Sequence, residues 1–107
     1  MSGTPDDTAG VDSTAVLHAL AEPHRAAIVR LLVDKQLAVK QLVAVTGMAQ
    51  PLVSHHLRVL REARLVESTV CGGLTVYRLQ AGTLGVLADR LRDMAQKASR
   101  TSSVKPC

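Results

Sequence analysis

The sequence predicts a mainly α-helical domain carrying one two-stranded β-hairpin. Three observations point there. Apolar residues recur at helical spacing along most of the chain. Residues 66–79 alternate and are rich in β-branched types around a Gly-Gly pair. The length, 107 residues, suits one domain. Hydrophobic residues make up 47% of the chain and Tyr77 is its sole aromatic, so the core has to be aliphatic. A domain this small leaves much surface uncovered unless it pairs with another chain.

Residues 1–12 hold Asp6, Asp7 and Asp12 with no base and read as a disordered acidic arm. Ser13 is expected to cap a first helix with Val16, Leu17 and Leu20 on one side. Glu22-Pro23 interrupts it, and Pro23 suits the first turn of the next helix. That helix carries Ile28, Val29, Leu31 and Leu32 and should end near Asp34-Lys35. Leu37, Ala38 and Val39 read as a short extended piece. Lys40 to Thr46 reads as a helix stopped by Gly47, which tolerates the left-handed conformation. Pro51 opens another helix running to about Ala63, giving two helices around a tight turn, the helix-turn-helix pattern. Val66–Val70 and Thr75–Leu79 form the hairpin arms, with Cys71-Gly72-Gly73-Leu74 as the turn. Gly82 begins the last helix, where Leu84, Leu87, Leu91, Met94 and Ala98 recur at alternating steps of three and four, an a/d seam. The domain is placed at 13–98, with 99–107 a flexible tail.

All thirteen bases and only six of the nine acids lie after residue 12, so the body is strongly basic. Such a balance favours a polyanionic partner. The helix opened by Pro51 shows where. On a 3.6-residue period Val53, His56, Leu57 and Leu60 share one face, and Pro51, Ser54, His55, Arg58 and Arg61 share another. The second face is polar to basic and free of acid, which suits a major groove. Gln50, just before it, is within reach of a base or phosphate. His56, beside the apolar residues, reads as a packed boundary residue.

These residues resemble a known family. Leu20-Ala21-Glu22-Pro23-His24-Arg25, Gln50-Pro51-Leu52-Val53-Ser54-His55-His56-Leu57, Leu60-Arg61-Glu62-Ala63-Arg64-Leu65-Val66 and Val76-Tyr77-Arg78-Leu79 look like an ArsR/SmtB-type winged helix-turn-helix transcription regulator. The resemblance covers about residues 13–95. It implies a homodimer built through the first and last helices (Val16, Leu17, Leu20, Leu84, Leu87, Leu91, Met94). It also implies recognition helices that read two operator half-sites about 34 Å apart. The hairpin tip, residues 70–74, carries no base, unlike the family's usual wing. Arg64 and Arg78 at the hairpin base are therefore the nearer backbone contacts. The DNA-binding set is thus Gln50, Pro51, Ser54, His55, Arg58, Arg61, Arg64 and Arg78. The family often has a small residue where His24 stands, and no role is assigned to His24.

Many members of that family sense a metal, but the usual ligand sets are missing. Residues 37–43 hold no Cys, His or acid. The last helix offers only Asp89 and Asp93, which read as surface pairs with Arg92 or Arg90 and with Lys97. The expected function is a cytoplasmic homodimeric regulator binding double-stranded operator DNA. Its signal would come from an accessory sensor protein or another effector, with no assigned cofactor. The alternatives are a divalent transition metal, nickel or zinc, held by His18 with Asp89 or Asp93, and a protein-interaction module that has lost DNA. Cys71 and Cys107 show no zinc-like spacing, and a redox role for the pair is the alternative to incidental thiols. No Gly-rich phosphate loop or recognisable catalytic set argues for an enzyme, and no apolar run is long enough to span a membrane.

Overall fold

The structure, a computed structural model, describes residues 10–105. The order is α1 (Ser13–Ala21), α2 (Pro23–Leu32), β1 (Leu37–Ala38), α3 (Val39–Thr46), α4 (Gln50–Glu62), β2 (Val66–Cys71), β3 (Leu74–Leu79) and α5 (Ala81–Ser102). Among the described residues no helix is long and apolar enough to cross a membrane. Most of the acidic arm and the last two residues, Cys107 included, lie outside the described part.

Several boundaries differ from the sequence reading for local reasons. Asp12, not Ser13, caps α1: its Oδ1 accepts the Ala15 N–H at 3.2 Å. The second helix stops at Leu32, two residues short of Asp34-Lys35. The sheet has three strands, ordered β1-β3-β2, not two. Leu37 pairs with Tyr77 and Ala38 with Val76, so the short extended piece closes one edge of the hairpin. Val39 is not extended but opens α3, where the Ala38 N–H donates to Gln41 Oε1 at 2.8 Å. The last helix continues through Ser102, beyond the end of the apolar seam.

The helix-turn-helix is closed by short-range bonds. Thr46 Oγ1 donates to the Leu42 carbonyl at 2.7 Å and accepts the Met48 N–H at 3.2 Å. Gly47, with φ 73°, sends its N–H to the Val43 carbonyl, the left-handed stop its lack of a Cβ permits. Gly72 and Gly73, with φ 58° and 80°, form the two-residue hairpin loop whose twist matches the strands.

The core is aliphatic throughout. Val16 and Ala19 of α1, Ile28 and Leu32 of α2, Leu42 of α3 and Val53, Leu57 and Leu60 of α4 converge with Leu65, Val66 and Leu87. One cation sits among them. Arg25 is buried, and its Nε donates to the Ala19 carbonyl at 2.8 Å while Nη2 reaches the His18 carbonyl at 3.4 Å. Its Nη1 lies 3.4 Å from His56 Nδ1 on α4. The two carbonyls belong to the last turn of α1, where a helix dipole welcomes positive charge.

The end of α4 is also specified. The Leu65 N–H reaches back to the Leu60 carbonyl and the Arg64 N–H to the Arg61 carbonyl, both at 2.9 Å, the paired bonds of a Schellman stop. The left-handed position in that stop is Arg64, with φ 63°, where glycine would sit without steric cost.

Arg25→Ala should lower unfolding free energy by about 2–4 kcal/mol in urea titration, because it orphans two carbonyls and a buried imidazole at once. Arg64→Gly should raise it by up to about 1 kcal/mol by relieving the left-handed backbone. A loss on Arg64→Gly would show that its side-chain contacts outweigh that strain.

Candidate nucleic-acid interface

The two faces of α4 separate as the 3.6-residue period requires. Val53, His56, Leu57 and Leu60 are all buried. Gln50, Pro51, His55, Arg58 and Arg61 are exposed and Ser54 is half-buried. The exposed side chains pair one turn apart: Gln50 Nε2 donates to Ser54 Oγ at 2.9 Å, and Arg58 Nη2 lies 3.4 Å from His55 Nδ1. These contacts hold donors and acceptors on one stripe. No acid stands in the first turn, and Ala49 at the N-cap offers no side-chain bond, so the positive end of the helix dipole is left without a protein counter-charge there.

Arg64 and Arg78 are exposed as well, but they line a different cleft, with Val11, Glu67 and residues 79–83 at the start of α5. Arg78 is closed by Glu67 at 2.9 Å, and the Arg64 guanidinium packs against the backbone of Gly10. The hairpin tip is apolar: Val70 and Leu74 are exposed beside Cys71, which is an exposed free thiol.

Of the residues expected to pair two chains, Val16 and Leu87 pack in the core of the single chain, 0% and 5% exposed. Leu20 and Leu84 are half-buried, and Leu17, Leu91 and Met94 are exposed. Arg90 of α5 donates to the Val11 carbonyl and to Ser13 Oγ, which ties the last helix to the start of the first.

His18, Asp89 and Asp93 are exposed, and within one chain the three do not converge on a common point among the described residues. Asp89 bonds Arg92 at 2.9 Å and Asp93 bonds Lys97 at 3.0 Å, the surface pairs expected of that spacing. Another group does converge. Potential ligand atoms of Glu22, His24 and His56 all lie within 4.8 Å of one another. Glu22 caps α2, its Oε1 accepting the Arg25 N–H at 2.9 Å, while its Oε2 meets His24 Nδ1 at 2.8 Å. The His24 and His56 rings stack 5.7 Å apart at 13°. The hydrogen bond from His24 is the main reason the Glu22 carboxyl is held down to about 2, and burial pushes His56 below the ordinary histidine value. Sequence reasoning gave His24 no role. The available signal was Glu22 and His24 flanking a Pro corner, with a histidine predicted on the apolar face of α4.

The profile described as "Bacterial regulatory protein, arsR family" matches residues 22–68, from the α2 cap into β2. The HTH-type transcriptional repressor SmtB of Mycobacterium tuberculosis is 44% identical over 64 residues, covering 60% of this chain and 47% of SmtB. The chain thus spans about half the length of that relative. The HTH-type transcriptional regulator NmtR of the same organism is 38% identical over 84 residues, 78% of this chain and 70% of NmtR. Among solved structures, the homodimeric winged helix-turn-helix DNA-binding domain of Mb0332 from Mycobacterium bovis superposes with a TM-score of 0.65 at 28% identity, covering 94% of this chain and 95% of that one. These relatives are regulators and not enzymes. A three-stranded winged helix-turn-helix, a profile laid over its α2–α4 segment and a relative matched along most of its length have one reading: the chain belongs to the ArsR family of bacterial regulatory proteins.

Proposed function

We propose that the chain is a homodimeric, sequence-specific, DNA-binding transcription regulator, with α4 as its recognition helix. The observation that carries this is the α4 stripe: exposed Gln50, His55, Arg58 and Arg61 with half-buried Ser54, on a different side from a buried apolar rib. A helix in the major groove reads base edges with residues near its N-terminus and meets phosphates with its arginines. Gln50, Ser54, His55 and Arg58 take the first role, beside Pro51 at the start of the helix. Arg61 takes the second. Arg64 and Arg78 belong to a separate cleft and serve as flanking backbone contacts.

Two copies are needed to grip a near-palindromic operator. Leu17, Leu91 and Met94, flanked by half-buried Leu20 and Leu84, supply the apolar surface of α1 and α5 for that pairing. The Mb0332 domain, described as homodimeric, supports a two-chain assembly. The protein acts in the cytoplasm, where its operator is. Its signal comes from an accessory sensor protein or another effector, since the family's usual ligand sets are missing from residues 37–43 and from α5. The exposed apolar wing tip favours one second reading, a protein-interaction module on the same fold.

DNA selection on the purified protein followed by titration of the recovered site decides between them. Arg58→Ala should weaken operator binding by about 1–3 kcal/mol, while His55→Ala should relax base preference at one position of each half-site. Wild-type behaviour of both variants would defeat the assignment of α4. Log affinity should fall linearly with log salt, by roughly 0.9 per phosphate contacted. Replacing both Leu91 and Met94 by Glu should give a monomer in sedimentation that no longer retains operator DNA.

A further inference from the structure

We propose that Glu22, His24 and His56 form a site for one divalent transition-metal ion per chain, joining the α1–α2 corner to α4. The three residues come from different parts of the fold: Glu22 is the cap of α2, His24 stands in its first turn and His56 lies on the inner face of α4. Folding alone brings their ligand atoms within 4.8 Å of one another. Ligands about 2.0–2.2 Å from a tetrahedral ion stand about 3.3–3.6 Å apart. Small rotations of the exposed His24 and half-buried Glu22 open their own 2.8 Å contact and bring both toward His56, which packing holds as the fixed point.

The donor set defines the ion. Two imidazoles and a carboxylate suit zinc, nickel or cobalt and are a poor match for calcium or magnesium, which take oxygen ligands. Three protein ligands leave an open position for water. The neighbouring bonds are compatible with occupancy. Glu22 uses Oε1 to cap α2, and Oε2 is the atom facing His24. An ion there takes the place of the proton between Oε2 and His24 Nδ1, which leaves with solvent, and the cap stays intact. Arg25 keeps the Ala19 and His18 carbonyls as acceptors when the His56 ring is engaged by the ion. This site is distinct from the His18, Asp89 and Asp93 combination, and it does not depend on the DNA-binding assignment.

The test is titration of the full chain, freed of metal by chelation, with cobalt(II), read by visible absorption and calorimetry. One equivalent per chain should bind, with d–d bands and without a thiolate-to-cobalt charge-transfer band. His24→Ala and Glu22→Gln should each weaken binding by about tenfold or more, since even the residues that merely orient metal ligands cost that much. Both variants should retain wild-type circular dichroism, because His24 is exposed and the amide oxygen that Glu22→Gln introduces can still cap α2. His18→Ala should bind as wild type does. Because a His56 variant is liable to unfold, its part is tested on the wild type: zinc should shift the ring nitrogens of His24 and His56 in nitrogen-15 spectra. The proposal is overturned by absence of saturable binding, by a thiolate band, by undiminished binding in both variants, or by ring shifts confined to His18 and His55.

Discussion

The Arg25 guanidinium is the constraint on which the arrangement of helices depends. It is buried, and it faces carbonyl oxygens of α1 and an imidazole of α4 rather than a carboxylate. A buried cation of this kind is tolerable only while its acceptors are in place, because an unpaired charge in an apolar interior is very costly. The last turn of α1 must therefore lie over α2, and α4 must bring His56 to the same point. Apolar packing alone is non-directional and would allow these helices to slide. The directional contacts of one side chain fix their relation, and with it the aim of the exposed α4 stripe.

Much of this was legible in the residues. The two faces of α4 follow from a helical repeat, and Val53, His56, Leu57 and Leu60 are buried as that repeat requires. Gly47 and the Gly72-Gly73 pair mark backbone turns whose left-handed angles only a residue without a Cβ adopts cheaply. What the residues left open concerns partners distant in sequence. A two-residue strand such as Leu37–Ala38 has no periodicity of its own and is defined by its pairing to Tyr77 and Val76. The seam along α5 likewise records apolar spacing without saying what it faces. Leu87 turned out to face its own core, while Leu91 and Met94 do not. The convergence of Glu22, His24 and His56 needed the corner at Pro23 and the approach of α4, neither of which is a local property.

Two parts of the charged surface near the hairpin and α4 differ in character. On α4, Arg58 and Arg61 stand with neutral polar neighbours, and Glu62 is the acid beside them. At the hairpin base, Arg78 is matched by Glu67, and Arg64 is held in a left-handed backbone against Gly10. Exposed ion pairs contribute little to stability, so the Glu67–Arg78 pair chiefly tempers local potential. The hairpin tip projects apolar side chains instead of charge.

The α5 helix has one more consequence. From Ala88 to Lys105 every residue except Arg90 is exposed, so its outer half has no interior of its own to lean on. An isolated helix of that length is marginal in water. Order along this arm is borrowed from whatever lies beside it, and amide protons there open at a fraction of the free energy that guards those around Leu57. The chain thus carries a gradient of rigidity, stiff where the three-helix corner is tied and fraying outward, so its outermost turns would be the first part to report by hydrogen exchange that a neighbour has come or gone.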